Sequence, residues 1–491
     1  LMIKFYNMIL KYYKNFKIIE NNSKNSINNT KYERFHNYIY KKLSNIYNSL
    51  KLDYNNFNYA IYRTLVNNNS TIYNNKLTNI YNKYLLHNKY VSNDIKDFIK
   101  TEKNKNSSKL LIYKLPYKNT YININFFTYN ERIDDNSITS NYDKSVTNIL
   151  LLINLIALLS GNNNIHNTNN DICSKDGFSI TFFNTPFLRT LNDTTNNILG
   201  AKNVNGGFCF GCQNFGNIII YRKEECFKVF SHELIHNMGI DQYFWDFMNA
   251  AKNKQCNEYK IYKSFIKNYN ISYEVNNNNI GLQECFVEFW GEFFNNALTS
   301  FLYANSCILS NNELKFKIYK NFFTKIIQFE YIHNYYQVYK ILKFNNMNYN
   351  DLIVKDIHNN NNIHNNNNIH NDNNIHNDNK IHKNYKEHTH VFSYYILKLF
   401  LLIDYKGFIN SSISLSIIDN IYNINFSQTN ENMNNFFNFL LANSHNKKTF
   451  KNFEILEELS QNIINSYNTT HCNSLKFIIE NLRMSILERI N

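Results

Sequence analysis

The chain has 491 residues and a formal net charge of +14, with 52 Lys and Arg against 38 Asp and Glu. That length supports two or three domains, and eight cysteines spread over it are too sparse for a disulfide-built scaffold. Asparagine fills 99 positions, a bias that resembles AT-rich protist genomes and raises lysine with it. The positive balance therefore does not by itself call for a polyanion, and with no Cys/His finger, RNA-binding sheet signature or arginine stripe, no specific nucleic-acid partner is expected.

Residues 1–107 read as a helical N-terminal region, polar and rich in tyrosine, with Asn/Ser breaks near 21–30 and 67–75. The opening residues run into Lys/Asn/Tyr text rather than an apolar core with a cleavage site, so a soluble intracellular protein is expected. At 108 the texture changes. Residues 109–113 and 121–127 are β-branched and aromatic runs that read as strands. Residues 146–159 read as a helix. Its apolar run begins at Ile149 and is shorter than the roughly 20 residues a spanning helix needs, which predicts a buried helix and no membrane span. Residues 178–183 and 217–221 are further strands.

Ten of the 11 glycines fall between Gly161 and Gly291, which predicts a tight strand-and-turn domain over 108–305. An exposed sheet edge near Gly206 to Phe210 would offer main-chain hydrogen bonds to an extended peptide. Cys209 and Cys212 form a lone Cys-x-x-Cys with no further ligands at suitable spacing, so they read as thiols at a turn rather than a second zinc site.

The strand at 217–221 leads into Ser231-His232-Glu233-Leu234-Ile235-His236-Asn237-Met238-Gly239. On a helix, residues four apart share a face, so His232 and His236 can bind one zinc ion while Glu233 reaches a water at that ion. The flanks read as helix. Glu224 and Glu225 suit the positive end of its dipole, Phe227, Phe230 and Leu234 form an apolar stripe, and Gly239 can turn the chain left-handed at the end.

A catalytic zinc needs a third protein ligand. Glu284, Glu288 and Glu292 repeat every four residues on an otherwise apolar segment, where unpaired carboxylates would be costly. Glu284 is the favoured ligand, and Glu288 could accept a hydrogen bond from a ligand imidazole. Asp241, beyond Gly239, is the alternative. Farther on, 306–350 reads as helical. The Ile-His hexapeptide repeat within 351–385 reads as a disordered Asn/His insertion, with weak metal binding as its other reading. Residues 386–491 read as a helical C-terminal region.

On His232, Glu233 and His236 with the later glutamate helix, the chain resembles the zincin (HExxH) zinc metallopeptidases, and the Glu284/Glu288 pair resembles their gluzincin branch. The segment 218–225 running into the helix is similar to uncharacterised metallopeptidases of protists and large DNA viruses. A metzincin would place a ligand where Gln242 stands, one residue past Asp241. The resemblance covers about 108–300. It implies an α+β fold, with a zincin-like catalytic domain (a small mixed sheet plus an active-site helix) between helical N- and C-terminal regions. It implies one Zn2+ held by His232, His236 and Glu284, Glu233 as general base, and a peptide or protein substrate. Many zincins add a tyrosine or histidine donor to the developing oxyanion from beyond the third ligand, a role for which the resemblance offers His333, His390, Tyr394 and Tyr395. The alternative is a catalytically inactive protein on the same scaffold, acting as an interaction module.

Overall fold

The computed structural model describes residues 26–102, 108–117, 120–129, 136–160, 178–191, 198–210, 217–271, 280–308, 311–354, 384–416, 421–424, 430–470 and 473–487. They form a mixed α and β fold around a six-stranded sheet. The strands are β1 (Arg63–Asn67), β2 (Lys109–Tyr117), β3 (Thr120–Thr128), β4 (Phe178–Phe183), β5 (Gly207–Cys209) and β6 (Asn217–Ile220), in spatial order β1-β2-β3-β4-β6-β5. β1, β2 and β3 run antiparallel, β3, β4 and β6 run parallel, and β5 turns antiparallel against β6 to end the sheet.

Both sheet faces are buried, and alternation along the strands divides their side chains between two cores. Leu111, Tyr113, Ile124, Phe126, Ile180, Phe182, Ile218 and Ile220 belong to the large core. Leu110, Phe127, Phe183 and Ile219 belong to a smaller one. Helices α2 (Thr71–Ile80) and α3 (Asn93–Glu102) cover the smaller core through Tyr73, Leu77, Ile95 and Ile99. The expected boundary at 107/108 therefore does not divide the molecule. β1 lies before it and pairs with β2, placing Leu65 opposite Leu111, and α1 (Ser26–Asp53) sends Phe35 and Ile39 into the large core. The polar texture of this region hid a narrow apolar face on each helix.

The crossover between β3 and β4 is α4 (Asn136–Leu159), which begins earlier than the expected Val146. Over Thr139–Leu159 it is long and apolar enough to cross a membrane, and 67% of its most apolar window is buried inside the structure. After β6 come α5 (Cys226–Asn237), α6 (Gln242–Ala250), α7 (Leu282–Ser306), α8 (Asn312–Phe344) and α9 (Phe392–Ile403), with further helices behind them. The Asn/His repeat, 358–382, lies outside the described residues.

Candidate metal centre

α5 is fixed at both ends by backbone geometry. Glu225, just before it, is left-handed at φ 55°, and Gly239, just after it, at φ 67°. Gly239 N–H donates to His236 O at 3.0 Å and Ile240 N–H to Ile235 O at 3.3 Å. These paired bonds of a glycine helix stop reverse the chain. The reversal brings Asp241 back against the helix it has just left.

α7 crosses α5 at Gly291. A β-carbon there would sit 3.1 Å from His232 Cα and N, so glycine lets the two backbones approach without the crowding a side chain would bring. The crossing aims the first turn of α7 at the histidines. Glu284 Oε2 lies 3.3 Å from His232 Nε2 and 3.5 Å from His236 Nε2, and the two nitrogens are 3.2 Å apart. Ligands about 2.0–2.1 Å from a tetrahedral zinc are separated by about 3.3 Å, so this triangle is one face of such a polyhedron. Glu284 Oε2 is buried with no hydrogen-bond partner, a costly state that a cation relieves. The residues fit zinc. Among the described residues, His232, His236 and Glu284 are the one group of three or more such side chains close enough to share an ion.

The carboxylates behind the imidazoles assign their tautomers. His232 Nδ1 donates to Glu288 Oε2 at 2.9 Å, and His236 Nδ1 donates to Asp241 Oδ2 at 2.6 Å. Both Nε2 lone pairs are thereby left for the shared point. Asp241, the alternative third ligand, here accepts from the His236 nitrogen other than the one beside Glu284, and also from Trp245 Nε1 at 2.7 Å. The acidic face of α7 is likewise partitioned. Glu284 meets the histidines, Glu288 is ion-paired with Lys228, and Glu292 accepts from Lys398 Nζ at 2.8 Å.

Burial opposes charge on both imidazoles, but Glu284 and Glu288 raise the His232 pKa, while Asp241 and Glu284 hold that of His236 well above the ordinary value. Burial would raise Glu284, yet the two histidines hold it well below the ordinary range, as a charged ligand requires. Glu233 is raised by burial, only partly offset by the histidines and the neighbouring Cys209 thiol. A raised carboxyl pKa suits a general base. Cys209 thus faces the cleft, whereas Cys212 lies outside the described residues.

A cleft of about 480 Å³ opens over this centre, lined by β5, His232, Glu233, Glu284, Trp245 and Tyr394. Among the described residues β5 pairs only with β6, which puts a sheet edge at the cleft wall where one was expected, near Gly206 to Phe210. Of the candidate donors, His390 and Tyr394 line the cleft, with the Tyr394 ring centroid 6.0 Å from that of His232. Tyr395 points away from it and donates to Leu482 O at 2.5 Å. His333 also lies elsewhere, its Nε2 donating to Arg483 O at 3.0 Å. Neighbouring positions on a wound helix face different directions, and the first half of α9, Phe392–Leu397, is a π-helical stretch.

The sequence reading missed Lys228, Lys398, Arg189 and Trp245. Lys228 stands one turn before His232 and Trp245 one turn after Asp241, so spacing could have found both. Arg189, which pairs with Glu225 at 2.5 Å, and Lys398 carry no local signal. Glu224 and Glu225 stand before α5 rather than in its first turn, and their carboxylates answer Arg189, Asn481 and Ser485. In comparisons with known proteins, no family model, curated protein or solved structure matches the chain.

Proposed function

We propose that this protein is a zinc-dependent peptidase with a zincin-like catalytic domain of the gluzincin kind. The observation that carries the reading is the triangle of His232 Nε2, His236 Nε2 and Glu284 Oε2, with sides of 3.2, 3.3 and 3.5 Å, beside a buried glutamate that is not part of it.

His232, His236 and Glu284 would hold the ion, and Asp241 and Glu288 would fix the rings that face it. When bound, zinc supplies Lewis acidity, which acidifies water and polarises a carbonyl oxygen. Glu233 accepts a proton from the attacking water and delivers it to the departing amine. The Tyr394 hydroxyl and the His390 ring, which line the cleft with Glu233, are the available donors to the negative charge that develops on the carbonyl oxygen. The free edge of β5 offers backbone N–H and C=O groups to an extended peptide. A peptide substrate matches both the edge and the hydrolytic groups, and this favours catalysis over an inactive binding scaffold.

The test is metal analysis with a peptide-library cleavage assay on wild type and Glu233→Gln. One zinc per chain is expected in both, with cleavage reduced about 10²–10⁴-fold in the variant. Equal cleavage by the two proteins overturns the role of Glu233. Zinc uptake with no peptide cleaved by wild type supports the interaction-module reading instead.

A further inference from the structure

Residues 481–487 run without helix or strand between the helices that carry the metal centre, yet they are buried: Leu482, Arg483, Met484 and Ser485 are each at most 4% exposed. A buried segment without regular structure must find partners for its backbone outside itself. Here those partners are the Arg189 carbonyl, which accepts from Leu482 N–H at 2.9 Å, and otherwise charged and polar side chains. Met484 and Ser485 N–H donate to Glu225 at 3.2 and 2.5 Å, and Ile486 N–H donates to Glu330 at 3.0 Å. Leu482 O accepts from Tyr395 at 2.5 Å, and Met484 O from Lys398 Nζ at 2.8 Å. The holders come from the start of α5, from α8 and from α9. The segment is held as a bound peptide is held, by side chains of separate elements.

The same side chains lead to the metal centre. Lys398 Nζ bridges Met484 O and Glu292 and lies 3.5 Å from Glu288 Oε1, and Glu288 Oε2 holds His232 Nδ1. Met484 Sδ packs 3.4 Å from Lys228 Nζ, the other cation on Glu288, and lines a small cavity with His232, Glu233 and Tyr394. Glu225, which takes two of the segment's amides, immediately precedes α5. With the segment withdrawn, Lys398 loses a backbone acceptor, Lys228 loses its cover, and Glu225 is left in a buried site without those donors.

We propose that segment 481–487 is a positioning strap: its seating holds Lys398 and Lys228 on Glu288, and so sets the His232 side of the metal centre. The inference rests on the zinc reading given above. Strap seating and metal binding are then linked, and linkage is reciprocal: the strap tightens zinc, and zinc tightens the strap.

The experiment measures hydrogen exchange of the 484–486 amides in the full chain with and without Zn2+, alongside zinc affinity by chelator competition. Zinc is expected to slow these amides at least about tenfold, the reciprocal of a coupling of the size seen for other groups that orient ligands. Ser485→Pro, which deletes the amide donated to Glu225, is expected to weaken zinc binding about 10–100-fold with all three ligands intact. Ser485→Ala keeps that amide but removes the hydroxyl donated to Glu330 at 2.6 Å, and is expected to weaken zinc binding less than Ser485→Pro does. Zinc bound at His232, His236 and Glu284 with exchange at 484–486 unchanged overturns the strap and leaves the metal reading standing. This arm needs no variant to fold. Absence of zinc uptake by wild type overturns the metal reading, and the strap with it.

Discussion

Replacing Gly291 by alanine sets two effects of known sign against each other. In a helix interior, alanine is favoured over glycine by about 1 kcal/mol. Against this, the new β-carbon would lie 3.1 Å from His232 Cα and N and 3.3 Å from His232 Cβ. Carbon contacts settle at about 3.5–4.0 Å, so the two helices must part by a few tenths of an ångström. Two of the opposing atoms are backbone and cannot swing away, and forcing a packed core apart costs about 1–3 kcal/mol. The net expectation is a loss of about 0–2 kcal/mol in stability. The larger consequence falls on the metal centre. Coordination tolerates about 0.2 Å, so a parting of a few tenths of an ångström that carried Glu284 on α7 away from the histidines on α5 would reach that limit. Zinc affinity should fall about 10–100-fold, as it does when groups orienting a ligand are lost. Thermal denaturation of the metal-free protein reads the first quantity, and competition with a chromogenic chelator reads the second. Unchanged zinc affinity together with raised stability would show that the crossing does not set the ligand triangle, and would refute the reasoning.

Three other outcomes are expected. Asp241→Asn removes the carboxylate that accepts from His236 Nδ1 and should weaken zinc about 10–100-fold without removing a ligand; titration with zinc checks it, and complete loss of binding would return Asp241 to the ligand set. Because acidic neighbours raise the His232 and His236 pKa values despite burial, protons should compete with zinc at a higher pH than for ordinary imidazoles. Affinity should drop by roughly tenfold per pH unit per proton as the medium is acidified through that range. Burial pushes Glu387 from 4.5 up to about 8, against the Phe392 amide and the Tyr385 hydroxyl. Between those values the folded state holds a proton the unfolded chain has lost. The contribution is therefore full below pH 4.5 and is lost as pH rises through 8, on the order of a few kcal/mol. Glu387→Gln should flatten the fall in denaturation midpoint between pH 5 and 8, and an unaltered slope would count against the shift.

Much of the candidate site was legible because it is local. The spacing of His232, Glu233 and His236, the glycine at 239 and the four-residue repeat of Glu284, Glu288 and Glu292 follow from helix periodicity, which is written into consecutive residues. The strands at β2, β3, β4 and β6 were legible from β-branched and aromatic runs. β1 was not, because its five residues, Arg63–Asn67, are mostly exposed and carry one buried side chain, Val66. Tyr394 and Tyr395 were indistinguishable in a chain with 38 tyrosines, since the direction in which each points depends on how α9 is wound and packed.

The sequence by itself determined which side chains can act together within one helix: two imidazoles on one face of α5, three carboxylates on one face of α7, and a glycine that ends the first helix. Tertiary structure alone decided how those carboxylates are shared out. It sent Glu284 to the histidines, gave Glu288 and Glu292 to Lys228 and Lys398, and folded Asp241 behind His236. The reason is electrostatic and geometric. A buried carboxylate goes to whichever cation or N–H the packing brings within about 3 Å, and that distance is set by the crossing at Gly291 and by segments distant in the chain, which no local pattern encodes.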